Sequence, residues 1–168
     1  MSVSTSGLVP QIDRLGSDFG GQVQLAVSLH APTDAQRSEL MPINKKHPLP
    51  ELLAAMRRYP MPKRRRITVE YTLIRGVNAS VGDARALASV LRGIPSKVNL
   101  IPMNGIEGSP LEPPSWEEVD AFQDALRAAG VPNFVRRRKG DDIAAACGQL
   151  ALRGEARKIR VALPTIAR

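Results

Sequence analysis

The chain of 168 residues is poor in cysteine, in aromatic side chains and in acidic charge, and each shortage closes a class of function. Its one cysteine, Cys147, cannot form an internal disulfide, a thiolate zinc site or, unaided, an iron–sulfur cluster. Any cluster needs ligands from elsewhere. Phe, Trp and Tyr make up 4% of the residues, too few for the base-stacking platform that single-strand binders use. No run approaches the roughly 20 apolar residues of a membrane span, and Met1 to Asp18 lacks a charged region followed by an apolar core. The expectation is a cytoplasmic protein with no membrane partner. A Gly-rich phosphate loop, paired metal ligands and a Ser–His–Asp ordering are missing as well.

What is present is enough for one domain with a core, since 43% of the residues are hydrophobic. Lys and Arg number 24 against 16 Asp and Glu, a net charge of +8, and the excess is clumped. Lys63-Arg64-Arg65-Arg66 and Arg136-Arg137-Arg138-Lys139 flank strand-like segments, and Arg153, Arg157, Lys158 and Arg160 carry the charge into the tail. A polyanion partner, most simply nucleic acid, accounts for such clusters; a merely solvated basic surface is the alternative. With so few aromatics, affinity would come from phosphates and specificity from a pocket.

The periodicity alternates strand and helix. Val23 to Leu29 reads as a strand running into the polar cluster Ser28-Leu29-His30, and Glu51 to Tyr59 as a helix bounded by prolines. Ile67 to Ile74 reads as a buried strand. Ser80 with Asp83 forms a capping-box pattern ahead of the stripe Val81, Ala84, Leu87, Ala88 and Leu91, and Ser115 with Glu118 does the same ahead of Val119, Phe122, Ala125, Leu126 and Ala129. Lys97 to Pro102 and Asn133 to Arg137 are further strands, and Ile143 to Leu150 a short helix after the Gly140-Asp141-Asp142 turn. Ser2 to Gly7 has the character of a strand exit, so the start is expected to cut into a fold.

This alternation predicts an α/β protein with a parallel sheet, either doubly wound or part of a (β/α) barrel. The strands are too few for the whole eight-fold barrel, which takes about 250 residues. Ligands of parallel β/α folds bind at the carboxyl ends of the strands. Ser4 and Ser6, Ser28 and His30, and Asn104 fall there and could hydrogen-bond one nucleotide-like ligand. Turn and cap residues of the same types are the plainer alternative. The cationic run ending at Lys139 favours the thiolate, the nucleophilic form, at Cys147; a small buried hydrophobe is the plainer alternative.

Ser4-Thr5-Ser6-Gly7, Ala26-Val27-Ser28-Leu29-His30-Ala31-Pro32, Met41-Pro42-Ile43-Asn44-Lys45-Lys46, Val98-Asn99-Leu100-Ile101-Pro102-Met103-Asn104 and Gly140-Asp141-Asp142-Ile143-Ala144-Ala145-Ala146-Cys147-Gly148-Gln149-Leu150 together resemble the RlmN/Cfr family of radical S-adenosylmethionine RNA adenine methyltransferases. The resemblance runs in order from about Ser2 to Ala151, leaving 152–168 as a basic tail. The approach to Cys147 looks like the RlmN branch, which methylates adenine C2, more than the Cfr branch, which methylates C8.

The resemblance implies the C-terminal half of a partial (β/α) barrel of the radical S-adenosylmethionine type, with parallel strands and outer helices. It implies that Cys147 carries a methyl group to the RNA base, and that Ser4, Ser28, Leu29, His30 and Asn104 contact S-adenosylmethionine. It also implies a [4Fe-4S] cluster, an external electron donor, and ribosomal RNA with transfer RNA as substrates. The family's CxxxCxxC cluster motif, resolving cysteine, Gly-Glu contact, acid/base glutamate and N-terminal RNA-binding domain are not found in these residues. The expectation is therefore a C-terminal fragment, catalytically inert alone. A stand-alone basic α/β module that binds RNA without catalysis is the rival reading.

Overall fold

Five strands lie side by side in chain order, every neighbouring pair parallel. The computed structural model describes residues 1–105 and 109–136. Along the chain run β1 (Ser2–Thr5), α1 (Val9–Phe19), β2 (Gln24–Ser28), α2 (Asp34–Leu40), a 3-10 turn (Pro42–Lys45), α3 (Leu49–Arg58), β3 (Ile67–Leu73), α4 (Val81–Val90), β4 (Ser96–Pro102), α5 (Trp116–Ala128) and β5 (Asn133–Val135). A doubly wound sheet reverses its strand order at a switch point, and this one does not. With right-handed crossovers all advancing one way, the helices cover one face, as in an arc of a (β/α) barrel.

Burial follows that geometry. In β3, Ile67, Val69, Tyr71 and Leu73 are fully buried, while Thr68, Glu70 and Thr72 on the other face are not. The first set packs with Leu25, Val27, Val98 and Leu100 of the neighbouring strands and with Leu52, Met56, Leu87 and Phe122 of the helices. The opposite face is polar. Across it the strand register sets Ser4 beside Ala26, Thr68 and Lys97, and Ser28 beside Glu70, Asn99 and Phe134. One sheet thus has an oily face for helices and a polar face for something else.

The two capping boxes form as their spacing predicts. Ser80 Oγ accepts from Asp83 N and Ser115 Oγ from Glu118 N, while each acid reaches back to its cap backbone. α1 has no side-chain cap, and α2 is capped by Thr33, whose Oγ1 accepts from Gln36 N at 3.3 Å. α1 has Pro10 as its second residue and turns Gly16 toward Pro60, where a Cβ would lie 2.9 Å from Pro60 Cδ. α2 has no apolar stripe at all, because its one buried residue is Arg37. The strand expected to reach Arg137 ends at Val135. The expected helix at Ile143 to Leu150, the tail and the boundary near Ala151 lie outside the described residues.

Candidate ligand end of the sheet

The carboxyl ends of the strands gather Thr5-Ser6, Ser28-Leu29-His30, Leu73-Ile74 and Pro102 to Asn104 along one edge. One buried cation holds the first two of these segments together. Arg37 is 0% exposed and its Nη2 donates to the Ser6 carbonyl at 2.7 Å and to the Ser28 carbonyl at 3.3 Å, tying the exits of β1 and β2 together. Its Nη1 donates to Asn44 Oδ1 at 2.7 Å. Asn44 in turn donates to Asp34 Oδ1 at 2.9 Å and to Ser38 Oγ at 2.8 Å. Gly7 makes room for this guanidinium: its φ is +110°, and a Cβ there would stand 2.8 Å from Nη2.

Among the described residues Arg37 has no direct carboxylate contact; burial lowers its affinity for a proton while the nearby Asp34 charge raises it. The Asp34 carboxyl is held below its ordinary range by the Asn44 amide and then by the Leu49 N–H at 2.7 Å. Three carbonyl or amide acceptors, with the Asp34 carboxylate behind Asn44, thus stabilise the cation. Its Nε has no hydrogen-bond partner among the described residues.

A second hub is Asn78. Fully buried, it donates to the His30 carbonyl at 2.7 Å and the Thr72 carbonyl at 2.8 Å, and accepts from Ile74 N at 2.8 Å. This locks the loop after β2 to the end of β3. His30 sits there at φ 60°, a left-handed conformation uncommon for a residue with a Cβ, and its Nδ1 accepts from Thr72 N at 3.0 Å. An accepting Nδ1 puts the ring proton on Nε2. Burial, and then the Arg37 charge, pushes the His30 pKa down to about 4, so at neutral pH the imidazole is an uncharged Nε2–H donor.

The other expected ligand contacts are distributed as follows. Ser28 is partly buried on the polar face, and Asn104 follows β4 with its amide making no hydrogen bond among the described residues. Ser4 lies inside β1 and not after it, exposed on the polar face in register with Ala26. The Leu29 side chain is 0% exposed in the helix-side core, which leaves its backbone as what it can offer a ligand. Cys147 lies outside the described residues.

Sequence reasoning passed over Glu70 and Asn99. Asn99 Nδ2 donates to Glu70 Oε2 at 2.6 Å, Glu70 stands between Asn99 and Ser28 in the register, and the buried Asn99 Oδ1 has no hydrogen-bond partner among the described residues. Only the alternation of β3 and β4, read as an inner polar face, could have singled them out. Among the described residues no group of three or more His, Cys, Asp or Glu could hold a metal ion. The described residues at this end offer hydrogen-bond donors and acceptors and no metal-ligand set.

No family model matches the chain. The sheet is that of radical S-adenosylmethionine domains. A radical S-adenosylmethionine methyltransferase from Sphaerobacter thermophilus, solved by crystallography, is 53% identical with a TM-score of 0.80, over 88% of this chain and 43% of that one. A domain of pyruvate-formate lyase-activating enzyme from Bacteroides vulgatus shares the fold at 19% identity and a TM-score of 0.62, over 81% of this chain and 80% of that one. Among sequence relatives, the chain is 64% identical over 163 residues to the dual-specificity RNA methyltransferase RlmN of Sorangium cellulosum, covering 97% of this chain and 42% of the relative. It is 54% identical over 154 residues to that of Anaeromyxobacter dehalogenans, covering 92% and 41%. The chain is homologous to the C-terminal region of these proteins and spans about two fifths of their length.

Proposed function

We propose that this chain forms the C-terminal part of a radical S-adenosylmethionine RNA methyltransferase that modifies adenine C2 in 23S ribosomal RNA and transfer RNA. The observation that carries the reading is identity of 64% along 97% of the chain to a dual-specificity RNA methyltransferase; the C2 position and the two RNA classes come from the family resemblance. The polar end of the sheet supports it. Bound S-adenosylmethionine supplies a transferable methyl group and a source of radical chemistry. Ser4, Ser28 and Asn104 offer hydrogen bonds to its polar groups, the Leu29 backbone lies between Ser28 and His30, and the neutral His30 Nε2–H donates without adding charge. The unpartnered Asn99 Oδ1 fits a ligand rich in donors such as ribose hydroxyls or an amine.

Cys147 acts as the methyl carrier. Methyl transfer to sulfur needs the thiolate, and the adjacent run Arg136 to Lys139 favours that form. The residues here do not fit the [4Fe-4S] cluster, because one cysteine cannot supply three thiolates and also carry a methyl group. Cluster ligands, a resolving cysteine and electrons from an external donor must come from outside these residues, and the chain by itself methylates nothing. The test is Cys147→Ala in the host genome, followed by mass spectrometry of nucleosides from ribosomal and transfer RNA. Loss of C2-methyladenosine from the host's RNA is expected. Retention of the mark with this gene as its only source would overturn the reading.

A further inference from the structure

At the opposite end of the sheet, before the amino ends of β3, β4 and β5, lies a cavity of about 330 Å³. Arg66, Arg85 and Arg92 line it, with Ser89, Gly93 and Gly130 among the residues between them and no acidic residue in the lining. All three arginines are exposed, and their side chains form no ion pair or hydrogen bond among the described residues. Arg14, Arg58, Arg75 and Arg127, by contrast, are all paired with carboxylates. The loop that delivers Arg66 begins the run Lys63-Arg64-Arg65-Arg66 and holds Arg64 at φ 74°, with Arg65 N donating to Pro62 O at 3.0 Å. Such a conformation is an outlier for a bulky side chain.

Helix ends do not account for this charge. α4 and α5 finish at the cavity, capped at Leu91 and Ala129, and each carboxyl end carries about half a negative charge. That is about −1 against +3 from the arginines, a surplus of about +2 before Lys63, Arg64 and Arg65 are added. The surplus is concave, unpaired and made of guanidinium forks, the geometry that grips phosphate oxygens in pairs.

We propose that this cavity is a phosphodiester-binding site that docks RNA at the end of the sheet away from the cofactor. The proposal rests on the reading of the chain as part of an RNA-acting enzyme. β3 and β4 are each seven residues long, so the two ends stand about 20 Å apart. A folded RNA can span that distance while presenting one base at the carboxyl end, and the amino end then contributes affinity without sequence preference.

The test uses the whole chain and an unmodified fluorescein-labelled RNA stem-loop, with anisotropy followed from about 50 to 200 mM salt. In R66A/R85A/R92A, affinity falls at least about tenfold and the slope of log K against log salt shrinks by about 2 to 3, one lost contact per arginine. R66K/R85K/R92K keeps most of the affinity, and R14A/R127A, which removes paired arginines elsewhere, leaves it unchanged. Coincident thermal melts confirm that each variant folds. The proposal is overturned if the wild-type chain does not bind the RNA, if the alanine variant binds as well as wild type, or if polyglutamate displaces the RNA at equal charge, which would assign the cavity to an acidic protein. Because the probe is unmodified RNA and nothing is methylated, failure of the Cys147 reading leaves this result untouched.

Discussion

The two ends of the sheet settle their charges in opposite ways. At the carboxyl end two cations have a structural duty among the described residues: Arg37 is buried among carbonyls and an amide, and Arg75 bridges Glu112 and Glu118. At the amino end Arg66, Arg85 and Arg92 surround a cavity and pair with no carboxylate among the described residues. Satisfied, desolvated groups fix backbone positions to a fraction of an ångström, which a small ligand requires. Exposed unpaired charges contribute almost nothing to stability but reach far for a polyanion. One end is built for geometry and the other for attraction.

The comparison breaks first at Arg37. R37M strands the Ser6 and Ser28 carbonyls and Asn44 Oδ1, and is expected to cost about 3 kcal/mol or more, lowering the melting temperature by about 10 °C. R66A/R85A/R92A, with three times the charge removed, leaves the melting temperature within error. Equal losses from both variants would erase the distinction.

Acid sharpens it next. The folded-state pKa of His30 is about 4 against an ordinary 6.5, so as pH falls below 6.5 the unfolded chain takes up the proton first. Stability present above pH 6.5 is lost between about 6.5 and 4, by up to about 3 kcal/mol. Urea titrations across that window should show the loss in wild type and not in His30→Gln. The carboxyls of Asp34 and Glu118, whose pKa values are lowered by the Asn44 amide and the Ser115 N–H, add their loss only at lower pH.

The smallest effects lie on the surface. Ser80→Ala removes a cap that accepts from Asp83 N at 3.1 Å and is expected to cost about 1 kcal/mol. Arg127→Gln breaks an exposed ion pair with Asp124 and should cost under about 0.5 kcal/mol. Chemical denaturation resolves the two; a larger loss for Arg127 would mean that surface pairs carry weight here.

The parts of the fold legible in the sequence are those with a local signature. β3 alternates, and α4 and α5 announce themselves by capping boxes and apolar stripes. The parallel sheet followed from the strand-helix spacing, which left a doubly wound sheet and a barrel arc open, and the polar strand ends offered Ser28, His30 and Asn104 as candidates for ligand contact. α2 was not legible because it buries a guanidinium where a stripe of leucines would ordinarily lie. The hubs Arg37 and Asn78 were hidden for a related reason. Asn78 meets His30 across 48 residues and Arg37 meets Ser6 across 31, and no window along the chain records such a pairing. The positive φ of His30 is likewise a product of that lock.

The central claim is that Cys147 carries a methyl group in a protein whose sheet seats S-adenosylmethionine. Tandem mass spectrometry of the peptide containing Cys147, from the native protein isolated from its host, tests it most directly. The account predicts a population with one added methyl group on the Cys147 sulfur. A Cys147 that is unmodified in every molecule, from cells whose RNA bears C2-methyladenosine made by this protein, would contradict it.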